Sequence, residues 1–332
     1  MFFKKARNIL LSFILTLFIL PLTTFAYSDY IIAGGENIGI QINSKGIMIV
    51  GLYKIEDQYP GRDAGLKMGD KITAINNMDV DNINQMVEKI NKSPSKNSIK
   101  ITYLRNNQLS NTNLNLIKTE DNIYKTGLYV KDSINGIGTL TYIDPGTKLY
   151  GALGHEIIEK NSGQKIEVKD GKIFKSEVES IIKSSNGSPG EKTAKYYSNN
   201  IYGNIFENTN HGIFGNYNDN LPNKKLYKVG NPSDIKLGKA SIFTVINEEK
   251  IEEFEIEIIK INQNDRHKIK NILFNITDER LLTSTGGVVQ GMSGSPIIQN
   301  EMIVGAVTHV IVDEPTKGYG IFITNMLEEA EN

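Results

Sequence analysis

The chain has 332 residues, with 37 Lys and Arg against 38 Asp and Glu and a net charge of −1. So even a balance excludes the clustered positive charge that holds a nucleic-acid backbone, and no nucleic-acid partner is expected. With no cysteine, disulfides, thiolate metal sites and a cysteine nucleophile are excluded together. The length calls for two or three modules.

At the N-terminus, Lys4, Lys5 and Arg7 precede an apolar run from Ile9 to Leu20, and Pro21 leads into Thr24-Phe25-Ala26. A basic flank, a short apolar core and small residues before a possible cut after Ala26 describe an export segment over residues 1–26. It is a signal peptide if cut and a signal anchor, associated with the membrane, if retained. Either way the rest of the chain is expected outside the cytoplasm.

From about residue 37 to 122, short alternating strands (Gly39–Ile42, Gly46–Val50) lead into Pro60-Gly61-Arg62-Asp63-Ala64-Gly65-Leu66-Lys67-Met68-Gly69-Asp70-Lys71-Ile72. Gly65 and Gly69 mark turns around one helical turn, and Asp70 stands where a carboxylate accepts nearby N–H groups. Apolar residues at 83, 86, 87 and 90 have helical spacing, with Asp81 as the expected N-cap. The Ala-Gly-Leu-x-x-Gly-Asp-x-Ile run resembles that of bacterial PDZ domains. The resemblance implies strand addition of an extended peptide, whose terminal carboxylate meets a Gly-hydrophobic loop mapped here onto Gly39 and Ile40.

Residues 123–332 are strand-rich and punctuated by glycine, as a barrel or sandwich requires. Gly291-Met292-Ser293-Gly294-Ser295-Pro296 can project a serine from a tight turn while the N–H groups of Gly291 and Ser293 form an oxyanion hole. An ordinary Gly/Ser turn between strands is the alternative. Of the four histidines, His155 follows the small-residue turn Gly151-Ala152-Leu153-Gly154. His211 and His267 lie in polar stretches that suit solvated loops, and His309 ends the strand after the serine motif. An aspartate that accepts from the imidazole would fix its tautomer. Asp278 stands 15 residues before Ser293 but also reads as the cap of a short helix from Glu279; Asp144 and Asp313 compete for the role. No His-x-x-x-His or acid–histidine cluster appears, so no metal and no cofactor are expected.

The order His, Asp, Ser is that of chymotrypsin-like β-barrel proteases. The stretches Gly136–Thr141, Gly187–Lys192, Thr285–Pro296, Gly305–Val310 and Pro315–Gly320 resemble the stage IV sporulation protein B family of signalling serine peptidases. The resemblance covers essentially the whole chain. It implies a mainly β fold with an α+β module: an N-terminal export segment, a PDZ-like domain and a chymotrypsin-like double β-barrel serine protease domain. It also implies His155 as general base, Asp278 as orienting acid and Ser293 as nucleophile. The implied location is the intermembrane space, reached by export across the forespore membrane. There the family cleaves itself and a membrane-bound regulator, which releases an intramembrane protease to process a late mother-cell pro-sigma factor. The Glu- and Ile-rich segment Ile251–Ile261 departs from the family pattern. The rival expectation is a PDZ scaffold with a protease fold that binds regulatory peptides without cutting them.

Overall fold

The computed structural model describes residues 27–93, 97–121, 123–263 and 269–331. The expected export segment and His267 lie outside the described residues. In chain order the structure opens with β1 (Tyr30–Ala33) and the long strand β2 (Asn37–Leu52). An α+β module follows: α1 (Pro60–Asp63), β3 (Lys71–Ile75), β4 (Met78–Asp79), α2 (Ile83–Asn91), β5 (Ser98–Arg105) and β6 (Gln108–Asn115). The short pair β7 (Ile117–Lys118) and β8 (Tyr124–Lys125) closes it.

The module core holds Ile47, Ile49, Leu66, Ile72, Met86 and Ile101. Helix α2 forms where the apolar spacing predicts. Its N-cap is Asn82 rather than the expected Asp81: Asn82 Oδ1 accepts from Gln85 N at 2.9 Å, while Asp81 N donates to Gln85 Oε1. Asp70 does accept a backbone N–H, that of Lys67 at 2.8 Å.

Two six-stranded barrels follow. The first uses β2 with β9 (Leu128–Ile143), β10 (Leu149–Ala152), β11 (Val168–Ile182), β12 (Gly190–Ile205) and β14 (Gly212–Asn216), with β13 (Glu207–Thr209) beside β14. Pairing runs β12–β11–β2–β9–β10–β14, and a bridge between Gly203 and Tyr217 closes the circuit. The second contains β16 (Gly238–Val245), β17 (Ile251–Ile261), β18 (Ile272–Ile276), β20 (Pro296–Gln299), β21 (Met302–Val310) and β22 (Lys317–Phe322). It closes as β16–β17–β18–β22–β21–β20–β16. Between these strands lie β15 (Leu226–Val229), α3 (Glu279–Thr285) and β19 (Val289–Gln290), and α4 (Ile323–Ala330) ends the chain.

Strand alternation explains the Glu-rich segment in β17. Phe254, Ile256 and Ile258 point into the second core, while Glu253, Glu255 and Glu257 face out, which is the period-2 pattern of a half-buried strand. Helix α4 places Met326 and Leu327 in a cluster with Tyr142 and Phe214 of the first barrel and Ile303 and Ile321 of the second. Its burial thereby clamps the barrels together.

Residue 37, where the PDZ-like module is expected to begin, opens β2, a strand that the module shares with the first barrel. Asn37–Asn43 of β2 pair with Ser133–Thr139 of β9 and with Asp170–Lys175 of β11, so this half of β2 belongs to the first barrel. The other half, from Ile47, packs in the α+β module. Strand β9 divides in the same way: Leu128–Lys131 pair with the module half of β2 and Ser133–Thr139 with the barrel half. A β2–β9 ribbon therefore carries the module, and the ladder is interrupted between Asn43 and Met48.

Candidate active site

The inter-barrel cleft is assembled from both sides. The first barrel contributes Ile134–Ile137 of β9 and the turn after β10, which carries Leu153, His155 and Glu156; the second contributes Gln290, Gly291 and Ser293. The volume is about 340 Å³.

Ser293 sits in the loop between β19 and β20, and its geometry depends on close backbone approach. A side chain at Gly294, where φ is +97°, would put a Cβ 2.1 Å from Thr139 O. Only glycine lets the loop dock there. Thr139 of β9 then holds the loop twice, its N–H donating to Ser293 O at 3.0 Å and its Oγ1 to Gly291 O at 2.7 Å. The nucleophile loop of one barrel is thus positioned by a strand of the other. Ser295, two residues on, is fully buried, which removes it from the cleft.

His155 is thrown into the cleft by two consecutive left-handed residues, Leu153 at φ +70° and Gly154 at φ +71°. For leucine this is a costly conformation, and such outliers concentrate at functional sites. The His155 Nδ1 lies 2.8 Å from Glu156 O. A carbonyl can only accept, so Nδ1 carries the proton and Nε2 keeps its lone pair. Burial lowers the His155 pKa, and the Glu156 carbonyl opposes that shift in part. The imidazole is therefore neutral at pH 7, as a general base must be.

The Ser293 hydroxyl donates to Thr308 O at 2.8 Å. His309, the next residue, has its ring centroid 5.4 Å from that of His155, with a buried Nδ1 that has no hydrogen-bond partner. Burial, then the neighbouring His155, push its pKa down to about 4. The structure thus brings His155, His309, Gly291 and Ser293 to one place.

Asp278 is not among them. Its carboxylate accepts from Arg280 N at 2.9 Å and Glu255 N at 3.3 Å and pairs with the Arg280 guanidinium at 2.8 Å. Burial pushes its pKa up, but the Arg280 and backbone hydrogen bonds outweigh that and lower it. The expectation that Asp278 orients His155 is therefore corrected. This carboxylate is engaged as the N-cap of α3, the local role its Thr-Asp-Glu context equally predicts, and a backbone carbonyl orients the imidazole. Asp144 is also engaged elsewhere, accepting from Ser28 N and Oγ and from Gly146 N, and Asp313 is exposed. His211 is not solvated as expected: its Nδ1 lies 2.8 Å from Glu329, on α4.

The peptide-binding assignment of Gly39 and Ile40 is corrected as well. Both sit mid-strand in β2, hydrogen-bonded to a strand on each side, so no edge is open for an added strand. Ile40 instead lies in the first-barrel core and against the cleft, and a Cβ at Gly39 would meet Tyr196 at 2.3 Å. The open helix–strand groove of the module is elsewhere, between α2 and the start of β9, lined by Ile83, Met86, Val87, Ile90 and Val130.

The PDZ domain family matches residues 37–116, and the SpoIVB peptidase S55 family matches residues 122–327, well over half of the chain. This chain belongs to the SpoIVB peptidase S55 family. It is accordingly a serine peptidase with a PDZ domain. Among solved structures, the PDZ domain of an SdrC-like protein from Listeria monocytogenes is 18% identical, covering 27% of this chain and 93% of that one with a TM-score of 0.24. The inactive form of the Rv3671c protease is 13% identical, covering 59% of this chain and 85% of that one with a TM-score of 0.31. No curated protein matches.

Sequence reasoning missed Thr139, Thr308 and Lys192. Lys192 is 1% exposed, its stem packs under Gly291 and its Nζ has Thr244 Oγ1 as partner at 2.9 Å. Burial brings its pKa down to about 7. No local pattern separates this lysine from solvated ones, because its burial comes from the second barrel, which brings Thr244 and Gly291 against β12 of the first.

Proposed function

We propose that this S55 peptidase cleaves itself and a membrane-bound regulator of an intramembrane protease, and so triggers processing of a late mother-cell pro-sigma factor. The family membership, the PDZ domain and the basic-apolar leader at residues 1–26 support this reading. The leader further supports export across the forespore membrane into the intermembrane space.

Ser293 is the nucleophile in this proposal. Its hydroxyl leaves Thr308 O and attacks the scissile carbonyl, while His155 Nε2 takes the proton and Glu156 O holds Nδ1–H in place. The N–H groups of Gly291 and Ser293 receive the oxyanion. The imidazolium then returns its proton to the leaving amine, and water resolves the acyl-enzyme by the same steps. The observation that carries the assignment is a tautomer-fixed imidazole and an unburied serine in one cleft.

The test combines a phosphonate serine probe with mass spectrometry of the incubated chain. Labelling at Ser293 and new termini that vanish in Ser293→Ala are expected. A folded chain that neither labels nor cuts would favour the peptide-binding scaffold.

A further inference from the structure

Ser293 stands between two walls. One is β21 of the second barrel, where Thr308 O accepts from the Ser293 hydroxyl at 2.8 Å and the His309 ring lies beside that of His155. The other is the first barrel, with β9 and the turn after β10. The cavity of about 340 Å³ lies on this second side: among the described residues, none that line it comes from β21 or β22.

The cavity is chiefly apolar and built in advance. Ile40, Ile137, Leu153, Ile157 and Ile158 line it, with Glu156 as its one carboxylate. Gly138 makes this packing possible, because a Cβ there would fall 2.1 Å from Leu153 Cδ2 and 3.3 Å from Ile40 Cδ1. The Ile157 wall is fixed by Asn208, which is 6% exposed. Its Oδ1 accepts from Ile157 N at 2.8 Å, and its Nδ2 donates to Ile157 O at 2.9 Å and to Ile166 O at 2.8 Å. Ile158, the next residue, is nevertheless 49% exposed. A preformed apolar cavity with a half-exposed isoleucine in its lining gains by burying an apolar side chain of a ligand.

The chemistry of cleavage decides which half of the substrate enters. As the Ser293 hydroxyl turns to the scissile carbonyl it releases Thr308 O, and a buried acceptor needs a new donor. The residue that supplies the scissile carbonyl carries its own N–H two bonds from that carbon, so the acyl half lies along β21. The leaving amine takes its proton from His155, and the chain beyond it departs over the first barrel. The backbone of Ile137 is open to it there, since β9 pairs with β10 and β1 only from Leu140 onward.

We propose that this cavity selects the leaving half of the substrate by taking an apolar side chain from the first two residues after the scissile bond. Ile137, Ile157 and Ile158 are then specificity residues, and Glu156 disfavours acidic side chains at the same positions. The inference rests on the assignment of Ser293 as nucleophile. It adds a substrate class to that assignment: extended segments with Leu, Ile, Val, Met or Phe just after the cut.

The experiment digests a degenerate library of 12-residue peptides with the whole chain and aligns the products on the cut by mass spectrometry. The peptides are acetylated and amidated, so that neither terminus is charged. Apolar residues are expected to exceed Gly roughly tenfold at one or both of the two positions after the cut, with Asp and Glu depleted. Ile158→Glu should admit Lys and Arg at those positions and leave the pattern before the cut unchanged. The milder Ile158→Ala should lower the apolar excess roughly threefold without admitting them. A chain that cuts and takes the phosphonate probe but shows no apolar excess after the cut overturns the pocket and leaves the peptidase assignment intact. A preference that Ile158→Glu does not move, or one that moves before the cut instead, does the same. A wild-type chain that neither cuts nor labels overturns the Ser293 assignment, and this proposal with it.

Discussion

The PDZ module and the catalytic cleft treat buried polar groups in opposite ways. In the module, Asp70 is 1% exposed and fully engaged, with Arg105 Nε at 2.7 Å, Arg105 Nη2 at 2.6 Å and Lys67 N at 2.8 Å. Around the cleft, Lys192 has a hydroxyl and no carboxylate, His309 Nδ1 has no partner, and His155 has a carbonyl in place of an acid. Paired buried charges hold a scaffold in one arrangement, whereas underpaired ones shift pKa values and store a capacity to react. The module is finished as structure, and the cleft is kept ready for proton transfer.

The strongest test of that contrast is the nucleophile itself. Ser293→Ala is expected to reduce peptide hydrolysis by roughly 10⁴-fold or more, while Ser295→Ala, altering a buried hydroxyl outside the cleft, should retain most of the activity. Equal losses in steady-state assays would blur the assignment.

A second test asks whether the two regions differ in stability as well. Lys192→Met should raise stability at pH 7, judged by chemical denaturation, by on the order of 1–4 kcal/mol, because it removes a buried amine whose charged form has no countercharge. Asp70→Ala should do the reverse, lowering stability by about 2 kcal/mol by leaving Arg105 and the Lys67 N–H without their acceptor. Effects of the same sign would end the comparison.

The pH profile sharpens it further. His155 and His309 have folded pKa values below the unfolded one, so their contribution to stability is intact above about pH 6.5 and is lost as pH falls toward about 4, the value for His309. The acid limb of hydrolysis should follow His155 and lie below the ordinary histidine range. Lys192 has the same sign in a higher window: stability should rise from pH 7, its folded value, toward its unfolded value of about 10.4. A flat denaturation midpoint from pH 4 to 6.5 would contradict the histidine argument.

The smallest effect is expected at Asp278. Asn retains an oxygen to cap α3, so Asp278→Asn should change the rate by less than about tenfold, against the roughly 10⁴-fold loss seen where an aspartate does orient the imidazole. A loss of thousands, measured as kcat with the fold intact, would mean that α3 delivers Asp278 to His155 in the working enzyme.

Much of this protein was legible in its sequence because the determining patterns are local. The period-2 alternation of β17, the helical spacing of α2, the Asp278 cap, the Gly-x-Ser-Gly turn and the PDZ run around Asp70 are each set by neighbouring residues acting on their own backbone. What only the tertiary structure decided is which distant groups meet. Gly39 and Ile40 belong to a motif whose local look is that of a PDZ loop, yet β9 and β11 take both their edges and make them part of a barrel wall. Asp278 has the sequence distance of a triad acid, yet Arg280 and Glu255 hold it on a helix. Thr139 and Lys192 carry no signal until two barrels close and bring them against the Ser293 loop. Hydrogen bonds and burial between strands remote in sequence made those choices, and no local pattern encodes them.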